Sequence, residues 1–309
     1  MSDFTPARNF LRAFLNKWGD KAWVLLVLTM LMWGSNSPII RVASTEISPM
    51  TIVCLRWALV GFAVITFRPP SFGEDWQRAK TRPAFIFFMA LLMTMSNAAI
   101  FIGGRYTTGI NLSILQGAGP VAVMVGAWLW FGTRIGPVRL LGLIVSTTGV
   151  LLLATQGNLL QLGGIHLNRG DLLMLASVLF YTVYILALRY RPPMPNYSFF
   201  CFIALGSFLI SLPLLAVEFS LGLTFWPSWK GWLALIYVAV FTSMLGQIFF
   251  MRAVELVGPG RAAQFQNLAP VIGSVMSVLT LGEEFALFHI FALIFVTGGI
   301  LIAERFGGR

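Results

Sequence analysis

Polar side chains set inside long apolar runs carry whatever chemistry this chain performs. Asn97 and Gln247, and Gln116 and Gln266, form two pairs with the same separation of 150 positions, and Gln264 and Asn267 stand three apart on one helical face. An amide in hydrocarbon is costly unless it finds a partner or faces water. Each therefore has two readings: a hydrogen bond between helices, or contact with a polar solute at mid-membrane. As a cluster near one interface they read as a solute site. Trp33 and Asn36, in the run Trp33-Gly34-Ser35-Asn36, and Tyr181 and Tyr184 in the matching region of the second half extend it. Such aromatic surface stacks on planar apolar bodies or holds a cation, and packing is its plainer use. Arg56 is the one charge well inside an apolar run. It either receives a substrate carboxylate or stitches helices together.

Other chemistries lack their residues. There is no His-Glu-x-x-His or Gly-x-Ser-x-Gly arrangement, and the two histidines, His166 and His289, are isolated from each other and from carboxylates. The expectation is a non-enzyme with no metal and no cofactor. Cys54 and Cys201 fall at matching places in the two halves, outside any CxxC or Cys/His motif, and read as small packing residues. Glu46, Asp171, Glu218, Glu283 and Glu284 all fall toward one side of the apolar segments, so no acid is expected near a span centre. A neutral or zwitterionic solute suits this set better than a cation without a carboxylate.

The elements that position these residues follow from composition and periodicity. Of 309 residues, 58% are hydrophobic and 10% charged, far from the balance of a soluble domain. Ten apolar segments, each about 20 residues and so long enough to cross roughly 30 Å of hydrocarbon as helix, centre near Leu31, Leu59, Leu91, Val121, Val145, Leu179, Ile210, Val240, Val271 and Phe295. Barrel strands would be shorter and would alternate, so helices are the spanning element. The surroundings of Pro120 recur around Pro270: Gln116, Val121, Val125 and Gly132 meet Gln266, Val271, Val275 and Gly282. Downstream, Leu143, Thr147 and Gly149 meet Leu293, Thr297 and Gly299. Two homologous halves of five spans each are implied.

Basic residues set the orientation. Most of the 21 fall at one side, among them Arg8, Arg12, Lys17, Arg78, Lys80, Arg82, Arg134, Arg139, Arg189, Arg191, Arg252 and Arg305, against Arg41, Arg105, Arg169 and Lys230 at the other. The positive-inside rule then puts both termini in the cytoplasm. Five is odd, so the second half runs inverted. The +10 charge reports orientation and not nucleic-acid binding, because it forms no compact patch. The expected organisation is a cytoplasmic segment 1–22, a first repeat 23–156, an outer linker 157–170, a second repeat 171–305 and a cytoplasmic end 306–309. Segment 1–22 is no signal peptide, and its apolar spacing suits a helix lying on an anionic leaflet or, alternatively, a disordered tail. Pro120 and Pro270 are each expected to interrupt a span, as static kinks or as bends that let a half open. Trp226, Trp229 and Trp232 suit an aromatic belt.

The Trp33-Gly34-Ser35-Asn36 run, Arg56, the two proline-containing spans and Gly282-Glu283 resemble the EamA-type permeases of the drug/metabolite transporter superfamily, amino-acid exporters among them. The resemblance covers nearly the whole chain. It departs at Gly132-Thr133, where the family often repeats the Gly-Glu pair. It implies an all-α membrane protein whose ten transmembrane helices form two inverted five-helix repeats around a central cavity. The functional expectation is alternating-access export of small organic metabolites, most simply neutral or hydrophobic amino acids. An uptake permease for a planar vitamin or nucleobase is the alternative within transport, and a membrane-embedded enzyme the alternative outside it. The expected partners are a small-molecule substrate and the bilayer of a bacterial inner membrane, with a monomer the simplest assembly.

Overall fold

Hydrocarbon offers no hydrogen-bond partners, so a chain this apolar must satisfy its backbone internally. The structure, a computed structural model, describes residues 21–66, 71–132, 136–155, 157, 168–257, 262, 265–266 and 268–305. Among the described residues every regular element is helical. In chain order these are α1 (Ala22–Gly34), α2 (Asn36–Glu46), α3 (Pro49–Thr66), α4 (Phe72–Lys80), α5 (Pro83–Gly103), α6 (Gly109–Gly117), α7 (Gly119–Phe131) and α8 (Pro137–Ala154). The second half holds α9 (Arg169–Ala187), α10 (Asn196–Ser220), α11 (Trp229–Tyr237), a π-helix (Val238–Leu245), α12 (Gly246–Val257), α13 (Leu268–Leu281) and α14 (Leu287–Arg305).

Among the described residues, seven helical stretches are long and apolar enough to cross a membrane: Ala22–Glu46, Pro49–Thr66, Pro83–Gly103, Gly109–Phe131, Arg169–Tyr190, Asn196–Ser220 and Trp229–Val257. Three shorter apolar helices, Pro137–Leu152, Leu268–Leu281 and Leu287–Ile302, fall in the remaining expected segments. The protein is a multi-pass integral membrane protein. Local sequence sets the helix ends. Pro49, Pro83 and Pro137 occupy first positions, where an N–H is dispensable. Thr108 and Ser228 cap α6 and α11, and Asn168 with Asp171 forms a capping box on α9. Gly132 and Gly282 end α7 and α13 at φ 64° and 65°, a conformation only glycine adopts without strain. This explains why the two repeat segments share that glycine.

The helices pack in reciprocal pairs. α3 lies on α10, α6 on α13 and α8 on α14; α5 lies on α9 as α12 lies on α1, and α7 on α9 as α13 on α1. Small residues let the backbones approach. Gly109, Ser113 and Gly117 of α6 meet Ser277, Gly273 and Pro270 of α13. In the α8/α14 seam Gly149 rests on Ala292, which matches Gly142, while Gly142 rests on Gly299, which matches Gly149.

One end of the bundle gathers carboxylates that bind backbone or side-chain donors across the halves. The Glu283 carboxylate accepts from Gly109 N at 2.8 Å and Ile110 N at 3.0 Å, on the exposed amides at the start of α6. Asp171 accepts from Thr107 Oγ1 and Asn111 Nδ2, Glu218 from Met50 N at 3.1 Å, and Glu46 from Ser228 Oγ. Asp171 and Glu218 are buried and not rim residues. At the other end α4 folds over the bundle between α3 and α5. Buried Asp75 there accepts from Ser198 Oγ at 2.6 Å and pairs with Arg78.

Pro120 stands at an interruption of its span, as the sequence suggested, and it opens a helix there instead of bending one. Pro120 is the second residue of α7 and Pro270 the third of α13, both in first turns that need no bond from the ring nitrogen. The break in the fourth segment falls at Ala118, and the proline inside a helix is Pro213 of α10. Segment 1–20, most of the linker, Gln264 and Asn267 lie outside the described residues. The α8/α14 seam makes the fold testable. A side chain at Gly149 would put a Cβ 2.8 Å from Ala292 O and Val296 N, backbone atoms that cannot swing away. Gly149→Leu should lower stability by about 1–3 kcal/mol or more, seen as a lower melting temperature in detergent, whereas Gly136→Leu, with open space around the Cβ, should melt as the parent does.

Candidate functional site

The first spanning segment is broken at its middle. α1 ends at Gly34, α2 begins at Asn36, and Ser35 joins them. Ser35 Oγ donates to Leu31 O at 2.6 Å, a bond to the preceding turn that bends helices. It also lies 2.5 Å from Tyr237 Oη, which can donate to it. Gly34 is needed because α13 comes close: an added Cβ would stand 2.6 Å from Ile272 Cγ2. Beside the break, Trp33 Nε1 donates to Thr242 O at 3.0 Å, and the indole packs 5.0 Å from the Phe250 ring.

Thr242 O is reachable because residues Val238–Leu245 wind as a π-helix. Its wider turn is filled by hydroxyls: Thr242 Oγ1 and Ser243 Oγ both donate to Val238 O, at 2.7 and 2.6 Å. The matching stretch of the first half lies inside α5, an uninterrupted α-helix. A π-turn confined to one half is a local departure of the kind that gathers at functional sites.

Arg56 lies seven residues into α3, about 10 Å along a helix about 27 Å long. It does not reach for an end. Its Nε donates to Ser243 Oγ at 2.8 Å and its Nη1 to Asn97 Oδ1, while Asn97 Nδ2 is anchored on Met93 O at 2.7 Å. The guanidinium also stands 5.2 Å from the Trp57 ring centre. Among the described residues no carboxylate lies within ion-pair reach of Arg56. The charge is thus fixed by two neutral oxygens, one from each half.

The remaining residues divide into spent and unspent groups. Asn97 uses both ends of its amide on the protein. Gln247, four residues after Ser243 and about one helical turn away, is half-buried, Gln266 is half-buried and Gln116 is exposed. None of these three glutamines makes a side-chain hydrogen bond among the described residues, so they do not stitch helices together there. Asn36 Oδ1 is buried without a partner beside the helix break. Tyr181 stacks on Tyr184 at 5.8 Å and is exposed, whereas Tyr184 is buried among Met89, Leu92 and Met194, away from Trp33. The structure therefore brings together Trp33, Arg56 and Asn97 through Thr242 and Ser243, with Gln247 following in the same segment. Sequence reasoning missed Ser35, Tyr237, Thr242 and Ser243. The signals were present, since Ser35 sits in the Trp33–Asn36 run and Ser243 lies one turn before Gln247, but serine and threonine commonly bond their own helix and draw no notice.

Comparison with known proteins identifies the family and the fold. The model of the EamA-like transporter family matches residues 20–155 and again 168–304. The uncharacterized transporter YyaM of Bacillus subtilis is 24% identical over 292 residues, covering 91% of this chain and 93% of the relative. An uncharacterized transporter of Archaeoglobus fulgidus is 26% identical, covering 86% and 91%. A solved crystal structure superposes with a TM-score of 0.63 at 15% identity, covering 94% of this chain and 99% of the other, which establishes likeness of fold.

The polar pins differ in charge and should differ in weight. Trp33→Phe keeps the ring and removes one neutral bond, expected to cost about 0.5–1.5 kcal/mol. Asn97→Leu strips an acceptor from a guanidinium, expected to cost about 1.5–3 kcal/mol. Thermal melts of the two purified variants should rank in that order, and a reversed order would show that the Arg56–Asn97 bond contributes little.

Proposed function

Because the chain belongs to the EamA-like transporter family, we propose that it exports neutral or hydrophobic amino acids by alternating access. The observation that carries this reading is the set of glutamines Gln116 and Gln247, in apolar helices, and Gln266, a helical residue just ahead of α13, which leave their amides without protein partners among the described residues. Amides in that position are stabilised by a wet path or a polar solute. The interruptions at Ser35, Ala118 and Val238–Leu245 support a site at mid-depth, where carriers place discontinuous helices.

In this reading ten helices form two inverted repeats around a central cavity. The reciprocal helix pairs support it, as does the α8/α14 seam, in which residues and their repeat mates exchange partners as an isologous contact requires. The double match of the family model supports the division into halves. Basic residues at the α4 end, with Asp75 held down by Arg78 and Ser198, support a cytoplasmic assignment for that end in a bacterial inner membrane, with both termini inside.

Two measurements test the reading. Proteoliposomes should show saturable uptake and counterflow of leucine and phenylalanine, and Gln116→Ala or Gln266→Ala should reduce it about tenfold with melting temperature unchanged. Normal transport with lowered melting would return these amides to a packing role. Cysteines placed in the linker 158–167 should label from outside intact cells; labelling only after permeabilisation would sink the inverted repeat.

A further inference from the structure

We infer that Arg56 is the receptor for a carboxylate on the substrate, and that this carboxylate, not the amino group, is the determinant the carrier reads. The inference deepens the transport reading above and rests on it for the word substrate, but its binding claim stands on the Arg56 geometry. A guanidinium has five N–H donors and cannot be neutralised by losing a proton. Here one is used on Ser243 Oγ and one on Asn97 Oδ1. Three are left, one on Nη1 and both on Nη2. No hydrogen bond takes them among the described residues, and Arg56 is only half-buried.

A structural arginine would look different. When arginine stitches helices together, its charge is met by an acid or its fork is filled by carbonyls. In this bundle the carboxylates of Glu46, Asp171, Glu218 and Glu283 are engaged at the far end with serine, threonine, asparagine and backbone N–H groups. The two neutral anchors hold the guanidinium plane by its Nε edge and one side of Nη1. One N–H on Nη1 and both on Nη2 remain for an anion with two oxygens, the partner a guanidinium recognises best. Gln247 stands about one turn from Ser243 and brings an amide that donates and accepts. Among the described residues no acid stands beside Arg56 to demand an ammonium group. The site therefore takes carboxylates with an apolar body, whether or not they carry an α-amino group.

The test uses one body with four heads. Purified wild-type protein is melted with phenylalanine, 3-phenylpropanoate, phenylalaninamide and phenethylamine, with benzoate as an unrelated carboxylate. The three acids should raise the melting temperature in a saturable way, and the amide and amine should bind at least about tenfold more weakly. Arg56→Gln should remove the distinction between acid and amide, and Arg56→Lys, which keeps the charge without the fork, should restore part of it. The wild-type series stands on its own if either variant fails to fold. Equal binding of amide and acid, no shift with any acid, or full discrimination by Arg56→Gln overturns the inference. Counterflow separates the two claims: acids that bind but are not transported count against the export reading alone, whereas transport of phenylalanine that phenylalaninamide matches counts against the carboxylate site alone.

Discussion

Hydrocarbon cannot stand in for water as a hydrogen-bond partner, and each unusual feature of this bundle answers to that constraint. A helix broken in mid-membrane leaves groups that must be met locally. At Ser35 both the backbone N–H and the hydroxyl bond back to Leu31 O, and Tyr237 meets Ser35 in turn. The π-helix carbonyl of Thr242 is met by the indole of Trp33. These bonds join the first segment to the eighth and so fix two interruptions, from different halves, against one another. Against that background the glutamine amides stand out, because the same constraint applies to them and the described protein does not meet it.

The repeated sequence builds the scaffold, and its departures build the site. Gly132 and Gly282 end their helices at the same positive φ, and the α8/α14 seam uses Gly142, Gly149, Ala292 and Gly299 reciprocally. Where chemistry is concentrated the halves differ. Cys54 matches Cys201, so Arg56 matches Ile203, which is fully buried. Asn97 therefore has an arginine to hold, whereas its mate Gln247 has none and leaves its amide open. The π-helix repeats the lesson, since its counterpart in α5 is regular.

Much of this was legible in the sequence, for reasons that also mark where legibility stops. Hydrophobic length gave the membrane class and the apolar segments, and matched glycines gave the repeat, because both depend on composition along the chain. Arg56 was identified as a buried charge, but its partners lie 41 and 187 positions away, and only packing could reveal them. A proline inside an apolar run does not by itself say whether it opens a helix or bends one. Here each break precedes a proline in the first turn of the next helix, Pro120 after Ala118 and Pro38 after Ser35, so the prolines mark helix starts within a span. The sequence put the acids toward one side, but the burial of Asp171 and Glu218 depends on donors supplied by Thr107, Asn111 and Met50.

The placement of those acids also sets the electrostatics of the centre. Glu283 lies against the amides of α6 and Glu218 against that of Met50, so each is bound to its own helix start and none is available at mid-depth. A charge in a low-dielectric interior is felt over longer distances than one in water, and its energy depends on the nearest opposite charge. Around Arg56 that nearest charge is not supplied by a described residue, and the neutral oxygens of Asn97 and Ser243 orient the guanidinium without neutralising it. An anion entering there would meet a group already held in place, with little ordering left to do on binding. Fixing the acids at the end of the bundle and the arginine at its middle are thus two parts of one arrangement, which keeps the centre positive and leaves its neutralisation to the solute.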